Sequence, residues 1–92
     1  MNCIIVDDEP VARKGMKSLI EQVPQLELAG SFNNAVAASA FMSEHTVDLI
    51  FLDIQMNKMD GLTAAGKIRE LDEEVSIIFL TSLKQYALEG YQ

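Results

Sequence analysis

The sequence of this chain has few basic residues and no long apolar run. Seven Lys and Arg stand against fourteen Asp and Glu, for a net charge of −7 over 92 residues. This balance argues against nucleic-acid binding, which needs clustered Lys and Arg, and against an anionic membrane surface. No run reaches the length of a membrane-spanning helix, and the N-terminus lacks a signal-peptide pattern. We therefore expect one small soluble domain in the cytoplasm.

Four mainly apolar segments are candidates for β-strands. They are Asn2–Val6, the more polar Leu26–Ser31, Leu49–Leu52 and Val75–Leu80. Runs without alternation are typical of strands buried on both faces of a parallel sheet, whereas a polar strand suits a sheet edge. Cys3 is the only cysteine and lies in the first run, so we expect a buried core thiol and no intramolecular disulfide.

Segments with helical spacing separate these strands, which predicts a layered α/β domain. The predicted helices are Pro10–Val23, a second from Asn33 or Asn34 to about Glu44, Leu62–Leu71 and Leu83–Tyr91. The side chains expected to face the core recur at helical intervals. They are Ala12, Met16, Leu19, Ile20 and Val23; Ala38, Phe41 and Met42; Leu62, Ala65, Ile68 and Leu71; and Leu83, Ala87, Leu88 and Tyr91.

Acidic residues follow two of the strands directly. Asp7 and Asp8 end the first run, Asp53 ends the third, and Thr81 follows the fourth. Ligands of open parallel sheets bind in the crevice outside the carboxyl ends of the strands, so these groups are expected to share one crevice. Crowded carboxylates repel one another, and a divalent cation with a preference for oxygen ligands, Mg²⁺ or Ca²⁺, relieves that repulsion.

Each of these residues also has an ordinary structural explanation. Acids after a strand often cap the next helix, which suits Asp7 and Asp8, and acids are common in turns, which suits Asp53. His45 has no second histidine near it in sequence and is expected at the surface, at the end of the second helix. Only the convergence of three strand ends favours a common site.

The residues around these positions resemble the response-regulator receiver domain over the whole chain. The resemblance is carried by Ile5–Pro10, Asp48–Met56, Met59-Asp60-Gly61 and Thr81. Two further stretches, residues 8–13 and 86–91, are similar to receivers of LytTR-type regulators. The resemblance implies a flavodoxin-like, three-layer αβα fold whose parallel sheet has the order 2-1-3-4-5.

The resemblance also implies a role for each motif residue. Asp53 matches the phosphoacceptor, and Asp7 and Asp8 match the acidic pair that holds Mg²⁺ with it. The backbone carbonyl of Gln55 is implied as a further metal ligand, and Thr81 as the switch hydroxyl. The implied partners are a sensor histidine kinase and an output domain, through which the parent protein regulates transcription. The module is then no enzyme beyond assisting its own phosphorylation.

Two departures from the family pattern stand out. Asn57 occupies a loop position where the family usually has proline, which predicts a looser loop. The family's fifth strand, with its lysine, has no counterpart, because Lys84 lies in the last predicted helix and is interpreted as a surface charge. We therefore expect a sheet of order 2-1-3-4 and inefficient phosphorylation of Asp53. We also expect an apolar patch around Phe79, Leu83 and Leu88. We expect a homodimer through the fourth strand and last helix, or one that exchanges elements between two copies; the alternative is that these 92 residues are part of a longer receiver that closes this edge within one chain.

Two other functions compete with the phosphoacceptor hypothesis. The first is a receiver-like interaction module that binds partners without phosphorylation, which the missing lysine favours. The second is an aspartate-nucleophile phosphatase on a related α/β fold. Such an enzyme needs a second acid two residues after its nucleophile, where this sequence has Gln55, so the phosphatase ranks third.

Overall fold

A four-stranded parallel sheet forms the centre of the computed structural model, which describes residues 1–54 and 61–80. The elements are β1 (Asn2–Val6), α1 (Pro10–Glu21), β2 (Glu27–Phe32), α2 (Ala35–Met42), β3 (Leu49–Asp53), α3 (Gly61–Leu71) and β4 (Ser76–Leu80). The strand order is β2-β1-β3-β4, and every neighbouring pair is parallel. The predicted α/β fold and the order 2-1-3-4 are confirmed. The last predicted helix, Leu83–Tyr91, lies outside the described residues.

The ends of the helices follow from local chemistry. The helix α1 begins at Pro10, whose fixed φ suits the first turn, and ends at Glu21, two residues before the predicted end. Pro24 explains this early stop, since proline disfavours helical backbone in the residue before it. Asn34, rather than Asn33, caps α2, because its Oδ1 accepts the Ala37 N–H at 2.8 Å.

Two apolar clusters lie on the two faces of the sheet, because alternate side chains of a strand point in opposite directions. One cluster joins Ile4, Ile50 and their neighbours to α2 and α3, through residues such as Ala38 and Ile68. The other joins Cys3, Ile5, Leu49 and Phe51 to Ile20 of α1. The predicted burial of β1 and β3 on both faces, and of the Cys3 thiol, is confirmed.

The predicted core face of α1 is mostly wrong. Of its five residues, Ile20 is buried and Met16 is half-buried, whereas Ala12, Leu19 and Val23 are exposed. Successive helical residues are about 100° apart, so Leu19 lies about a quarter-turn away from the line that faces the sheet. That line holds Arg13, Met16 and Ile20, at positions i, i+3 and i+7.

The predicted core face of α3 is correct for Ala65 and Ile68, which are buried. Leu71 is instead 47% exposed, because it ends the helix where the chain turns towards β4. The strand β4 lies at an edge of the described sheet with Ile78 and Phe79 exposed. Leu83 and Leu88, the rest of the expected patch, lie outside the described residues, so the dimer stays a prediction.

His45 is exposed at the end of α2, as the sequence predicts. Its ring stacks on Phe41 with the centroids 4.0 Å apart, and its Nδ1 lies 3.1 Å from the Phe41 carbonyl oxygen. Across residues 1–54 and 61–80, every helix is too short or too polar to cross a membrane.

Candidate metal centre

The site is built where β1 and β3 end side by side. In the register of this pair Val6 lies beside Leu52, and the next residues along the two strands are Asp7 and Asp53. Asp7, Asp8 and Asp53 each offer a carboxylate oxygen, and these three atoms lie within 4.8 Å of one another. The three acids predicted from the sequence therefore meet at one point. Gln55 and Thr81, the other two predicted site residues, lie outside the described residues.

Two of the three carboxylates are almost completely buried. Asp7 is 5% exposed and Asp53 is 6% exposed, whereas Asp8 is half-buried. The apolar strands explain this, since Asp7 and Asp53 each directly follow a fully buried residue, Val6 or Leu52. Burying a charge is unfavourable unless it gains a partner or a metal. Packing three acids together therefore favours a cationic ligand rather than a structural role alone.

The backbone and side chain of Asp7 are held by three different parts of the fold. Its N–H donates to the Phe32 carbonyl of β2 at 3.0 Å. Its Oδ1 accepts the Glu9 N–H at 2.9 Å, which closes the turn that leads into α1. Its carbonyl oxygen accepts a hydrogen bond from Nη1 of Arg13 at 2.7 Å. These contacts leave Asp7 little freedom to move away from the other acids.

The electrostatic environment of the site disfavours the ionisation of all three carboxyl groups at once. Burial raises the pKa of the Asp7 carboxyl above its ordinary value, and the hydrogen bond from the Glu9 N–H opposes this increase only in part. The charges of Asp53 and Asp8, together with a side-chain hydrogen bond to Asp53, raise the Asp7 pKa further. A bound cation would reverse this balance, because it favours the ionised form of every carboxylate around it.

The strand β4 helps to fix the position of Asp53. Asp53 lies opposite Leu80 in the register, and the Ile54 N–H donates to the Leu80 carbonyl at 3.1 Å. Asp53 is thus the last residue of a central strand with a neighbour on each side. A nucleophile or a metal ligand needs this kind of fixed placement, since geometry dominates its contribution.

The donor set suits a hard divalent cation. Carboxylate oxygens are the preferred ligands of Mg²⁺ and Ca²⁺, and Mg²⁺ commonly binds through one or two carboxylates, with water and phosphate oxygens completing its shell. Three carboxylates whose oxygens lie within 4.8 Å of one another, with Asp8 half-buried, provide oxygen ligands for such a cation. The residues present therefore fit the Mg²⁺ predicted from the sequence.

Arg13 is the residue near the site that sequence reasoning missed. A core face is recognised by its apolar residues, and a charged residue on the inward line of α1 does not fit that pattern. Its helical spacing with Met16 and Ile20 was the available signal. A long cationic side chain on an inward line requires an acceptor for its guanidinium, and here that acceptor is the Asp7 carbonyl.

The chain matches known proteins over its whole length. The family model described as the response regulator receiver domain matches residues 3–92. The chain is 34% identical to the transcriptional regulatory protein YpdB of Escherichia coli strain K12 over 92 residues, which is all of this chain and 38% of YpdB. It is 35% identical to the sensory transduction protein LytT of Enterococcus faecalis, again over all of this chain and 38% of LytT. The chain thus spans somewhat more than a third of these relatives.

Solved structures are similar in fold and in sequence. The response regulatory domain of protein mrkE from Klebsiella pneumoniae is 35% identical with a TM-score of 0.78, over 99% of this chain and 75% of that one. The isolated receiver (REC) domain of RcsB from Salmonella enterica serovar Typhimurium is 28% identical with a TM-score of 0.81, over 98% of this chain and 67% of that one. The resemblance drawn from the motifs is thereby confirmed, and the chain belongs to the response regulator receiver domain family.

Proposed function

We propose that Asp53 accepts a phosphoryl group and that Asp7, Asp8 and Asp53 hold the Mg²⁺ that this transfer requires. One observation carries the proposal: a buried carboxylate at the end of a central strand lies within 4.8 Å of two others. Membership of the receiver family, a family of signalling domains in two-component systems, supports it. The backbone carbonyl of Gln55 is proposed as a further metal ligand and Thr81 as the switch hydroxyl, on the family resemblance.

The proposed chemistry is a direct displacement at phosphorus. A carboxylate oxygen of Asp53 attacks the phosphorus, and the new P–O bond forms as the bond to the donor breaks. The donor atom leaves with the electron pair of that bond, and the product on Asp53 is an acyl phosphate. Phosphoryl transfer asks mainly for positioning and charge neutralisation, and the contacts that hold Asp7 and the end of β3 supply the positioning.

Charge neutralisation assigns separate roles to the three acids. When bound, Mg²⁺ offsets the repulsion between the phosphoryl oxygens and the acidic cluster. Asp7 and Asp8 contribute ligands but lie on a different strand end from the nucleophile. Asp53 is the acid placed between two neighbouring strands, and we assign it alone as the acceptor.

The partners follow from the family and the relatives. We infer that the donor is a sensor histidine kinase and that phosphorylation changes the conformation of the module to control an output domain. YpdB is named a transcriptional regulatory protein, and this chain matches 38% of it. We therefore infer that the parent protein regulates transcription from the cytoplasm through a separate domain.

Phosphorylation with a small donor tests the assignment. The chain is incubated with acetyl phosphate and Mg²⁺, the intact mass is measured, and the modified residue is mapped after trapping the acyl phosphate. We expect one phosphoryl group on Asp53 and none in Asp53→Asn. The matched control is Asp48→Asn, which removes a carboxylate at the opposite end of β3 and is expected to retain phosphorylation.

Other outcomes would reject the proposal in distinguishable ways. Phosphate mapped to Asp7 or Asp8 would overturn the choice of acceptor while keeping the site. A wild-type chain that is folded, binds Mg²⁺ and takes up no phosphate from acetyl phosphate or from a histidine kinase would favour the phosphorylation-independent interaction module. Release of inorganic phosphate from many substrate molecules per chain would revive the phosphatase.

A further inference from the structure

Arg13 makes an unusual contact for a residue so early in a helix. Its backbone N–H donates to the Glu9 carbonyl at 3.1 Å, which places it at the end of the first turn of α1. Its guanidinium reaches back six residues and donates from Nη1 to the Asp7 carbonyl oxygen at 2.7 Å. A hydrogen bond from a charged donor is shorter and stronger than one between neutral groups.

The stability of α1 does not explain this placement. A helix favours acidic side chains at its N-terminus and basic ones at its C-terminus, because of its dipole. The first turn of α1 has no acidic residue, and the Glu9 side chain makes no capping hydrogen bond. A cation in this turn is therefore unfavourable for the helix itself, and the reason for it lies in the bond to Asp7.

The carbonyl that Arg13 holds belongs to the peptide group between Asp7 and Asp8. This group is planar, so fixing its oxygen fixes the whole plane, including the Asp8 nitrogen. A change in ψ of Asp7 that φ of Asp8 does not compensate would turn this plane and redirect the Asp8 Cα–Cβ bond. Asp7 is held independently by Phe32 and Glu9, so a rotation would mainly displace the Asp8 carboxylate.

We propose that Arg13 is a positioning residue of the acidic site: by holding the Asp7 carbonyl, it directs the Asp8 carboxylate towards the divalent cation shared with Asp7 and Asp53. This inference rests on the proposed Mg²⁺ site. Groups that hold metal ligands in place commonly change metal affinity by about 10- to 100-fold when they are removed.

Because Arg13 is positively charged, its positioning role and its electrostatic effect on Mg²⁺ affinity can be told apart. A guanidinium near a metal site repels the metal, so the loss of its charge alone would tighten Mg²⁺ binding. Loss of positioning would weaken it. The two explanations therefore predict opposite signs for Arg13→Ala.

The wild type and its variants are titrated with Mg²⁺. Calorimetry measures the affinity, and NMR records the backbone amide resonances. We expect Arg13→Ala to weaken Mg²⁺ binding by about 10-fold. Arg13→Lys, which keeps a charged donor on a side chain that is one bond shorter, should recover part of the affinity. Because the Asp7 carbonyl and the Asp8 nitrogen share a peptide group, the Asp8 amide resonance should move in Arg13→Ala even without Mg²⁺ and return towards its wild-type position in Arg13→Lys.

Two controls separate positioning from charge and from folding. Lys14→Ala removes the same charge from an exposed residue of α1 and should leave Mg²⁺ affinity unchanged or slightly higher. Arg69→Ala removes an arginine that also donates to backbone carbonyls, those of Glu73 and Val75, at the opposite end of the sheet. It should lower thermal stability without changing Mg²⁺ affinity. If Arg13→Ala does not fold, Arg13→Met, which keeps the apolar part of the side chain and lacks the donor, takes its place in both measurements.

Each outcome has one interpretation. Unchanged or tighter Mg²⁺ binding by Arg13→Ala, with the wild type binding normally, would overturn the positioning role and leave the site intact. Equal losses in Arg13→Ala and Arg69→Ala would show a general effect of stability and would also overturn it. If the wild type binds no Mg²⁺, the proposed site and this inference both fail. They also both fail if Asp8→Asn binds Mg²⁺ as tightly as the wild type does.

Discussion

The two ends of β3 carry the same side chain in opposite circumstances. Asp48 precedes the strand, is exposed, and accepts the Asn2 N–H through its Oδ2 at 2.9 Å. Asp53 ends the strand, is 6% exposed, and lies within 4.8 Å of two further carboxylates. At the amino end a carboxylate satisfies a backbone donor in contact with water. At the carboxyl end three carboxylates, two of them buried, are crowded together, which is unfavourable without a cation.

This contrast shows that residue type and neighbouring sequence alone do not distinguish a structural aspartate from a functional one. Asp48 and Asp53 flank the same apolar run, and each has a neighbour across the sheet: the Asp48 N–H donates to the Asn2 carbonyl, and Asp53 is paired with Leu80. Among residues 1–54 and 61–80, the acidic side chains of two adjacent strands meet only at the carboxyl end, since parallel strands align like ends. The difference between a structural and a functional aspartate therefore comes from topology rather than from the residue.

The interior of β3 should matter more to stability than either end. Ile50 is fully buried between the two aspartates and joins α2 and α3 to the sheet. We expect Ile50→Ala to lower the free energy of unfolding by about 2–5 kcal/mol and Ile50→Val by about 1 kcal/mol, measured by chemical denaturation. If Asp53→Asn destabilised the protein more than Ile50→Ala does, Asp53 would be a structural residue and the contrast between the two ends would fail.

Mg²⁺ should stabilise the protein through the aspartates at the carboxyl end of β3 and not through Asp48 at its amino end. Binding to the native state alone stabilises a protein by roughly 2.7 kcal/mol at a ligand concentration near 100 times Kd. We expect millimolar Mg²⁺ to raise the melting temperature of the wild type and of Asp48→Asn, and to have a much smaller effect on Asp8→Asn. A wild-type melting temperature that stays constant through the titration would show that no Mg²⁺ site assembles.

The sequence predicted this end of the sheet better than it predicted the helices around it. The apolar runs of β1 and β3 suit a sheet interior, and the acids that follow them then fall together at the end of the sheet. The face of α1 was predicted less well, because Leu19 and Val23 fit a broad apolar stripe although the sheet contacts only a narrow one. Arg13 was missed because its role depends on the Asp7 carbonyl, which no pattern of side chains reveals.

Without metal, replacing Asp53 or Asp48 by asparagine should change the free energy of unfolding in opposite directions. Asp53→Asn removes a charge from the crowded site, so in EDTA at neutral pH we expect it to raise the free energy of unfolding by roughly 1 kcal/mol, the order of the repulsion between two charges about 4 Å apart. Asp48→Asn weakens a charge-assisted hydrogen bond at the surface, and we expect a decrease of about 0.5 kcal/mol. Chemical denaturation measures both. A loss of stability in Asp53→Asn would mean that its contacts hold the fold together more than its charge disturbs it.

The smallest effect concerns pH and isolates Asp7. Burial, with the charges of Asp53 and Asp8, raises the Asp7 pKa in the folded protein above the ordinary value of 3.8. The folded state therefore binds this proton more tightly than the unfolded state, so the Asp7 contribution to stability falls as pH rises from about 4 through the raised pKa. Asn at position 7 stands in for the protonated carboxyl. In EDTA we expect Asp7→Asn to gain stability over the wild type as pH rises through this window.

Over the same pH range, the effect of pH on stability should change sign when Mg²⁺ occupies the site. Mg²⁺ requires ionised carboxylates, so in saturating Mg²⁺ the wild type should gain stability as pH rises, whereas Asp7→Asn should gain less. Asp48→Asn provides the control, and its difference from the wild type should stay nearly constant across the same pH range in either buffer. If the Asp48→Asn difference followed pH as the Asp7→Asn difference does, the dependence would reflect the net charge of the chain. A pH response confined to Asp7, with its sign set by Mg²⁺, would establish that the carboxyl end of the sheet is the end built around a cation.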